Sequence, residues 1–145
     1  MNVQSILAAK GNVVATIAAD RSLGDAVSAL RDHGVGALVV SNDGTHIDGI
    51  LSERDVVRAI ATLSRDCLDS PVSNAMSAKV ITCQPADTID KLMAMMTERR
   101  IRHLPVLDTS GELAGIVSIG DVVKFRLDEL EQENSQLYDY IEGRV

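Results

Sequence analysis

Apolar positions follow two rhythms along the 145-residue chain. Leu23, Val27 and Leu30, and later Ile89, Met93 and Met96, fall three or four residues apart and predict amphipathic helices. Short apolar or β-branched runs predict strands: Val13 to Ile17, ALVV (37–40) and IDGIL (47–51), then Val80 to Thr82, LPVL (104–107) and LAGIV (113–117). Turn formers separate the later runs in each half, Asn42, Asp43 and Gly44 in one and Asp108, Ser110 and Gly111 in the other. These predict hairpins whose turns exceed two residues. Further helices are expected from Glu53 and from Gly120. Ser22 with Asp25 suits a cap on the first helix, and Asp87 or Thr88 a cap on its counterpart. Residues 64–78 connect the halves, with Ser70-Pro71 as a helix start and Ala75 and Met76 as a buried face.

The two halves are one pattern written twice. A shift of 66 positions aligns residues 16–60 with 82–126 without a gap. It pairs Thr16 with Thr82, Leu38 with Leu104, Gly49 with Gly115, Ile50 with Ile116, Ser52 with Ser118 and Asp55 with Asp121. Apolar patterns coincide by chance; glycine, serine and aspartate at matched offsets in a gapless register do not. Each unit reads strand, helix, hairpin, helix, and a unit of about 60 residues is only marginally able to bury a core alone. The expectation is an α+β fold of two β-α-β-β-α repeats packed about a pseudo-twofold axis. The divisions are residues 1–65 for the first repeat, 66–78 for a connector, 79–126 for the second repeat and 127–145 for a C-terminal amphipathic helix.

Charge narrows the possible partners. The net charge of -7 opposes binding to nucleic acid or to an anionic membrane surface, both of which select basic faces. Residues 126–145 hold six acids and two bases, so most of the excess sits in the tail. By contrast ERRIRH (98–103) gathers three arginines and a histidine, a setting for a small anion. Arg99 and Arg100 read as a solvated helix end that complements the helix dipole. No apolar stretch approaches the roughly 20 residues of a membrane span, and MNVQSILAAKGN lacks the features of a secretory signal, so a cytoplasmic setting is expected. Cys67 and Cys83 lack metal or redox spacing, and the three scattered histidines offer no metal site. No nucleophile elbow, P-loop or Rossmann glycine set appears, which argues against an enzyme.

The repeated Ser-x-x-Asp stands where a strand gives way to a helix. It can be a capping box, or it can hold a ligand: helix-start amides favour phosphate, and a carboxylate accepts the two hydroxyls of a ribose. GILSERDVV (49–57) and GIVSIGDVV (115–123), with RHLPV (102–106) and the element order, resemble a pair of cystathionine-beta-synthase (CBS) domains, a Bateman module, over about residues 3 to 126. The resemblance implies clefts between the repeats for an adenosine-containing ligand: AMP, ADP, ATP or NAD, with S-adenosylmethionine ranked behind them. It implies that Thr16, Val35, Gly36 and Ala37 edge the base in one cleft. There Ser118 and Asp121 would take phosphate and ribose, and Arg102 and His103 would neutralise charge. In the other, Thr82, Ile101 and Arg102 would border the base and Ser52 and Asp55 the sugar phosphate, with basic help from Arg54 or Arg58. The first cleft is expected to be the tighter. With no Trp, one Phe and two Tyr, adenine would lie between aliphatic chains such as Val14, Val80, Ile81, Ile101 and Ile116.

The functional expectation is a regulatory sensor that forms a homodimer and signals to an unidentified protein. The alternative is a ligand-independent dimerisation scaffold with vestigial clefts. Leu127, Leu130, Asn134, Leu137 and Ile141 follow heptad-like spacing over about two heptads, which suits either a paired helix or packing on the chain's own domain.

Overall fold

The computed structural model describes residues 1–143; Arg144 and Val145, the end of the expected tail, lie outside the described residues. Helix α1 (Val3–Lys10) precedes the first repeat, which comprises β1 (Thr16–Ile17), α2 (Leu23–His33), β2 (Ala37–Val40), β3 (Gly49–Ser52) and α3 (Glu53–Leu63). The second repeat comprises α4 (Ile89–Arg99), β4 (His103–Leu107), β5 (Leu113–Ser118) and α5 (Ile119–Ile141). β1 pairs parallel to β2, which pairs antiparallel to β3. β4 and β5 form an antiparallel pair with an irregularity at Val106/Leu107. The expected strand at Val80 to Thr82 does not form. Its place is taken by a single parallel bridge from Cys83 to Val106, the counterpart of the Ile17 to Val40 pair. The cause lies in β4: Val39 donates to the Ala15 carbonyl in the first repeat, but its counterpart is Pro105, which has no N–H to offer Ile81.

The caps follow local chemistry. Ser22 Oγ accepts from the Asp25 amide, and Thr88, rather than Asp87, caps α4 by accepting from Lys91. Asp87 instead accepts from the Gln84 amide and from Lys91 Nζ. The connector forms two short 3₁₀ turns, Arg65–Asp69 and Val72–Asn74, in place of a helix from Pro71. Ala75 and Met76 pack against the first core as expected.

Two separate apolar cores hold the fold. Leu23, Ala26, Leu30, Leu38, Val40 and Leu51 form the first, joined by Cys67 and Val72 of the connector. Leu92, Met96, Leu104, Val106, Val117 and Val122 form the second, and Val3, Ile6 and Leu7 of α1 complete it. Residues 1–10 therefore pack with the second repeat, not with the repeat they precede. The repeated glycine explains the fit: a Cβ at Gly115 would lie 2.7 Å from Leu7 Cδ2, and one at Gly49 would lie 2.6 Å from Met76 Sδ and 2.9 Å from the Ser77 carbonyl. Each hairpin thus receives the segment that leads into its neighbouring unit. The two halves meet where the Leu113 amide donates to the Thr45 carbonyl at 2.8 Å and where the His103 ring lies against Gly36. β2 is buried along its whole length, so both of its faces are covered.

Helix α5 runs unbroken for 23 residues, so the expected tail helix is the continuation of the second repeat's last helix. Val122 faces the core, with Phe125 partly buried against it. Leu127, Leu130, Leu137 and Ile141 are exposed. Among the described residues, no helix is long and apolar enough to cross a membrane.

Candidate functional site

A cleft of about 520 Å³ opens at the seam between the repeats. Ser52, Glu53, Arg54, Asp55 and Arg58 form one wall, at the start of α3. Arg99, Arg100, Ile101, Arg102 and His103 form another, where α4 turns into β4. Ser77 of the connector and Lys79, Val80 and Ile81 just after it close the cleft, with Ile50 and Gly36. Ten of the expected residues therefore meet here: Gly36, Ser52, Arg54, Asp55, Arg58, Val80, Ile81, Ile101, Arg102 and His103. Thr16, Ala37, Thr82, Ile116, Ser118 and Asp121 do not line it. Val35 lies instead in a shallow apolar groove between α2 and α3, with Val27, Leu30, Val56 and Val57.

Both Ser-x-x-Asp motifs are complete capping boxes. Ser52 Oγ accepts from the Asp55 amide at 3.3 Å while Asp55 Oδ2 accepts from the Ser52 amide at 2.9 Å. Ser118 and Asp121 repeat the arrangement at 3.2 and 2.9 Å. Capping and ligand binding are compatible here, because the box engages Oδ2 of Asp55 and its carboxylate still faces the cleft.

Asp121 differs. Lys10, at the end of α1, donates to Asp121 Oδ2 at 2.7 Å and to the Ile116 carbonyl at 3.0 Å. Partial burial pushes the Asp121 carboxyl up, but the Lys10 ammonium and the Ser118 amide outweigh it and hold the carboxyl below its usual range. Among the described residues Asp55 has no ion-pair partner of this kind. A carboxyl depressed in the folded state contributes stability above its unfolded pKa and loses it as pH falls through the lower folded value. The Lys10→Met variant should therefore be less stable than the parent above about pH 4 and converge with it in stronger acid. Urea titrations at pH 3 and pH 7 check this.

The cleft holds six basic side chains and two acidic ones in a chain of net charge -7. The 66-residue shift shows why its pseudosymmetric counterpart cannot match it. Arg54, Arg58, Lys79, Arg99, Arg100 and Arg102 correspond to Gly120, Lys124, Val13, His33, Gly34 and Gly36. The positive charge thus belongs with Ser52 and Asp55, which reverses the expectation that the Ser118/Asp121 cleft is the better equipped. Arg102 belongs to the second repeat, its carbonyl accepting from the Ile119 amide at 2.8 Å, yet it lines the same cleft as Ser52 and Asp55 of the first. His103 sits between the motifs, influenced by both Glu53 and Asp121, and burial lowers its pKa. It is a poor fixed charge at neutral pH, so the fixed positive charge of the cleft comes from the arginines and Lys79.

Among the described residues two that are not glycine have positive φ, Ser64 and Arg100, and of these Arg100 lines the cleft. It adopts φ 54° and ψ 44° at the end of α4, the left-handed cap that Gly34 takes at the end of α2. A side chain in that region costs roughly 1 kcal/mol or somewhat more relative to glycine. Strain at a cleft residue is a pointer to function. Arg100→Gly should stabilise the fold by about 1 kcal/mol in urea denaturation and weaken anion binding in the same preparation. Sequence reasoning assigned Arg99 and Arg100 to solvent and passed over Glu53, Ser77 and Lys79. The available signal was the arginine at a position where the first repeat has a capping glycine.

The CBS domain profile matches residues 10–62 and again 72–128. The chain belongs to the CBS domain family, as a tandem pair. A CBS-domain-containing protein of Agrobacterium tumefaciens shares 44% identity and superposes with a TM-score of 0.84, over 87% of this chain and 99% of that one. The mitochondrial CBS domain-containing protein CBSX3 of Arabidopsis thaliana is 39% identical over 128 residues, 86% of this chain. The chain spans 62% of that relative's length. Two more distant structures share the fold. One is a Pyrobaculum aerophilum CBS domain protein complexed with AMP, at 24% identity, TM-score 0.75 and 83% of this chain against 89% of that one. The other is the CBS domain pair of MJ0100 in complex with 5-methylthioadenosine and S-adenosyl-L-methionine, at 22% identity, TM-score 0.78 and 89% against 98%.

Proposed function

We propose that this chain is a regulatory module that binds an adenine nucleotide in the Ser52/Asp55 cleft and passes its occupancy to a partner protein. The observation that carries the reading is the composition of that cleft. Aliphatic Ile50, Val80, Ile81 and Ile101 offer a slot for a flat base, Asp55 an acceptor for ribose hydroxyls, and six basic side chains a seat for phosphate. The adenosine ligands of the distant CBS pairs support the class. So much positive charge favours two or more phosphates, which places ATP, ADP and NAD ahead of AMP, and disfavours the cationic sulfonium of S-adenosylmethionine. Regulation follows from differential affinity: a nucleotide that joins the α3 wall to the α4–β4 wall selects whichever arrangement of the repeats it binds more tightly.

The apolar groove between α2 and α3, with Val57 65% and Ile60 42% exposed, supports a homodimer through those helices.

Titration calorimetry with ATP, ADP, AMP, NAD and S-adenosylmethionine tests the reading. Binding of one polyphosphate nucleotide per chain, weakening as salt rises, is the expected result. Absence of heat with all five compounds, with equilibrium dialysis also negative, would favour the ligand-independent scaffold.

A further inference from the structure

Helix α5 carries two apolar stripes. Val122 and Phe125 face the second core, and Arg126 and Glu129 are partly covered beside them. The other stripe faces away. Val123, Leu127, Leu130, Leu137 and Ile141 are 49%, 55%, 43%, 57% and 69% exposed. With Asn134, also exposed, they alternate in steps of four and three from residue 123 to 141. Gly120 stands one step further back, so the unbroken helix presents three heptads of a single phase. Large apolar groups repeated on one side of a solvated helix identify a surface built to be covered.

We propose that this stripe is a parallel, in-register coiled-coil seam with the α5 helix of a second copy of this chain. Leu127, Asn134 and Ile141 take the a positions and Val123, Leu130 and Leu137 the d positions. Two observations select the occupant and its direction. In parallel register Asn134 meets Asn134 of the second copy, and the two amides hydrogen-bond to each other. The flanking charges also agree. Arg126 of one helix falls opposite Glu131 of the other, and Glu133 opposite Tyr138, so no like charges meet across the seam. In the structure Arg126 reaches Glu129 at 3.1 Å and Asp90 at 3.9 Å while remaining 40% exposed, so Glu131 of the second copy would be a third carboxylate around it. The remaining acids of the helix, Asp121, Asp128, Glu129 and Asp139, occupy outer positions of the heptad. An antiparallel pairing over residues 127–137 would set Glu131 against Glu131 and Glu133 against Glu133, and would bury Asn134 against Leu130. The proposal extends the homodimer reading but is separable from it, because the α2–α3 groove is a different surface.

Sedimentation velocity and thiol cross-linking of the full chain test the seam. Leu137→Cys should form a disulfide-linked dimer under mild oxidation, because in-register d positions face each other within disulfide reach. Ser135→Cys, on the outer face, should not. The native Cys67 and Cys83 are buried, so they do not compete. The double variant Leu130→Asp/Leu137→Asp should raise the dimer dissociation constant at least tenfold while thermal unfolding confirms an intact domain. Three results would each overturn the proposal: a chain that stays monomeric at high concentration, a dimer whose Leu137→Cys variant does not cross-link, or a double variant with the parental dissociation constant. The last leaves the α2–α3 dimer standing.

Discussion

Ile6→Ala should destabilise the protein by about 2–5 kcal/mol, although residue 6 lies close to the start of the chain. Ile6 is 0% exposed and belongs to the core of the second repeat, among side chains whose sequence neighbours lie some 80 to 115 positions away. Truncating it opens a void in a cluster that α1 helps to seal. Lys10 would lose rigidity too, because its ion pair with Asp121 depends on the docked helix. The control is Val13→Ala, only a few residues further along. Val13 is 92% exposed, and its truncation should change stability by no more than about 0.5 kcal/mol. Urea denaturation of both variants separates a docked α1 from a frayed one, since equal small losses would mean that α1 does not seal the core.

Asp55→Asn should weaken nucleotide binding at least tenfold, and Asp121→Asn by less than threefold. The argument rests on geometry. Both aspartates close capping boxes, and asparagine keeps an acceptor for the Ser52 or Ser118 amide, so the helix starts survive in both variants. Only Asp55 lines the basic cleft. Charge-assisted hydrogen bonds from two ribose hydroxyls are worth about 1.5–3 kcal/mol each, and about 1.4 kcal/mol is a factor of ten in affinity. Asp121 already has Lys10 against it, in a cleft whose counterpart positions lack five of the six basic residues. Calorimetry on the two variants decides which motif holds the ligand. Equal losses, or the larger loss at Asp121, would return the site to the other cleft.

These effects divide along the line between local and long-range information. Element identities were legible because each rests on spacing within a dozen residues: Leu23, Val27 and Leu30 for α2, and Ser22 and Thr88 for caps. Twofold organisation was legible because Gly49 and Gly115, Ser52 and Ser118, and Asp55 and Asp121 recur at one offset. The Val80 to Thr82 strand was misread because its pairing depends on β4, and only Cys83 meets Val106. α1 was missed for a related reason. It has weak periodicity of its own, and its stability comes from the distant core it completes.

By itself the sequence determined that this is a doubled α+β fold, that each unit ends its hairpin in Ser-x-x-Asp, and that positive charge is concentrated near residue 100. Backbone propensity and a single repeat length suffice for those conclusions. Tertiary structure alone decided which Ser-x-x-Asp faces that charge, because it brings the α4–β4 junction of one repeat against the α3 start of the other. It also decided that Lys10 would answer Asp121 and that one stripe of α5 would stay uncovered. Those outcomes depend on distances between residues up to 111 positions apart, which no local pattern encodes.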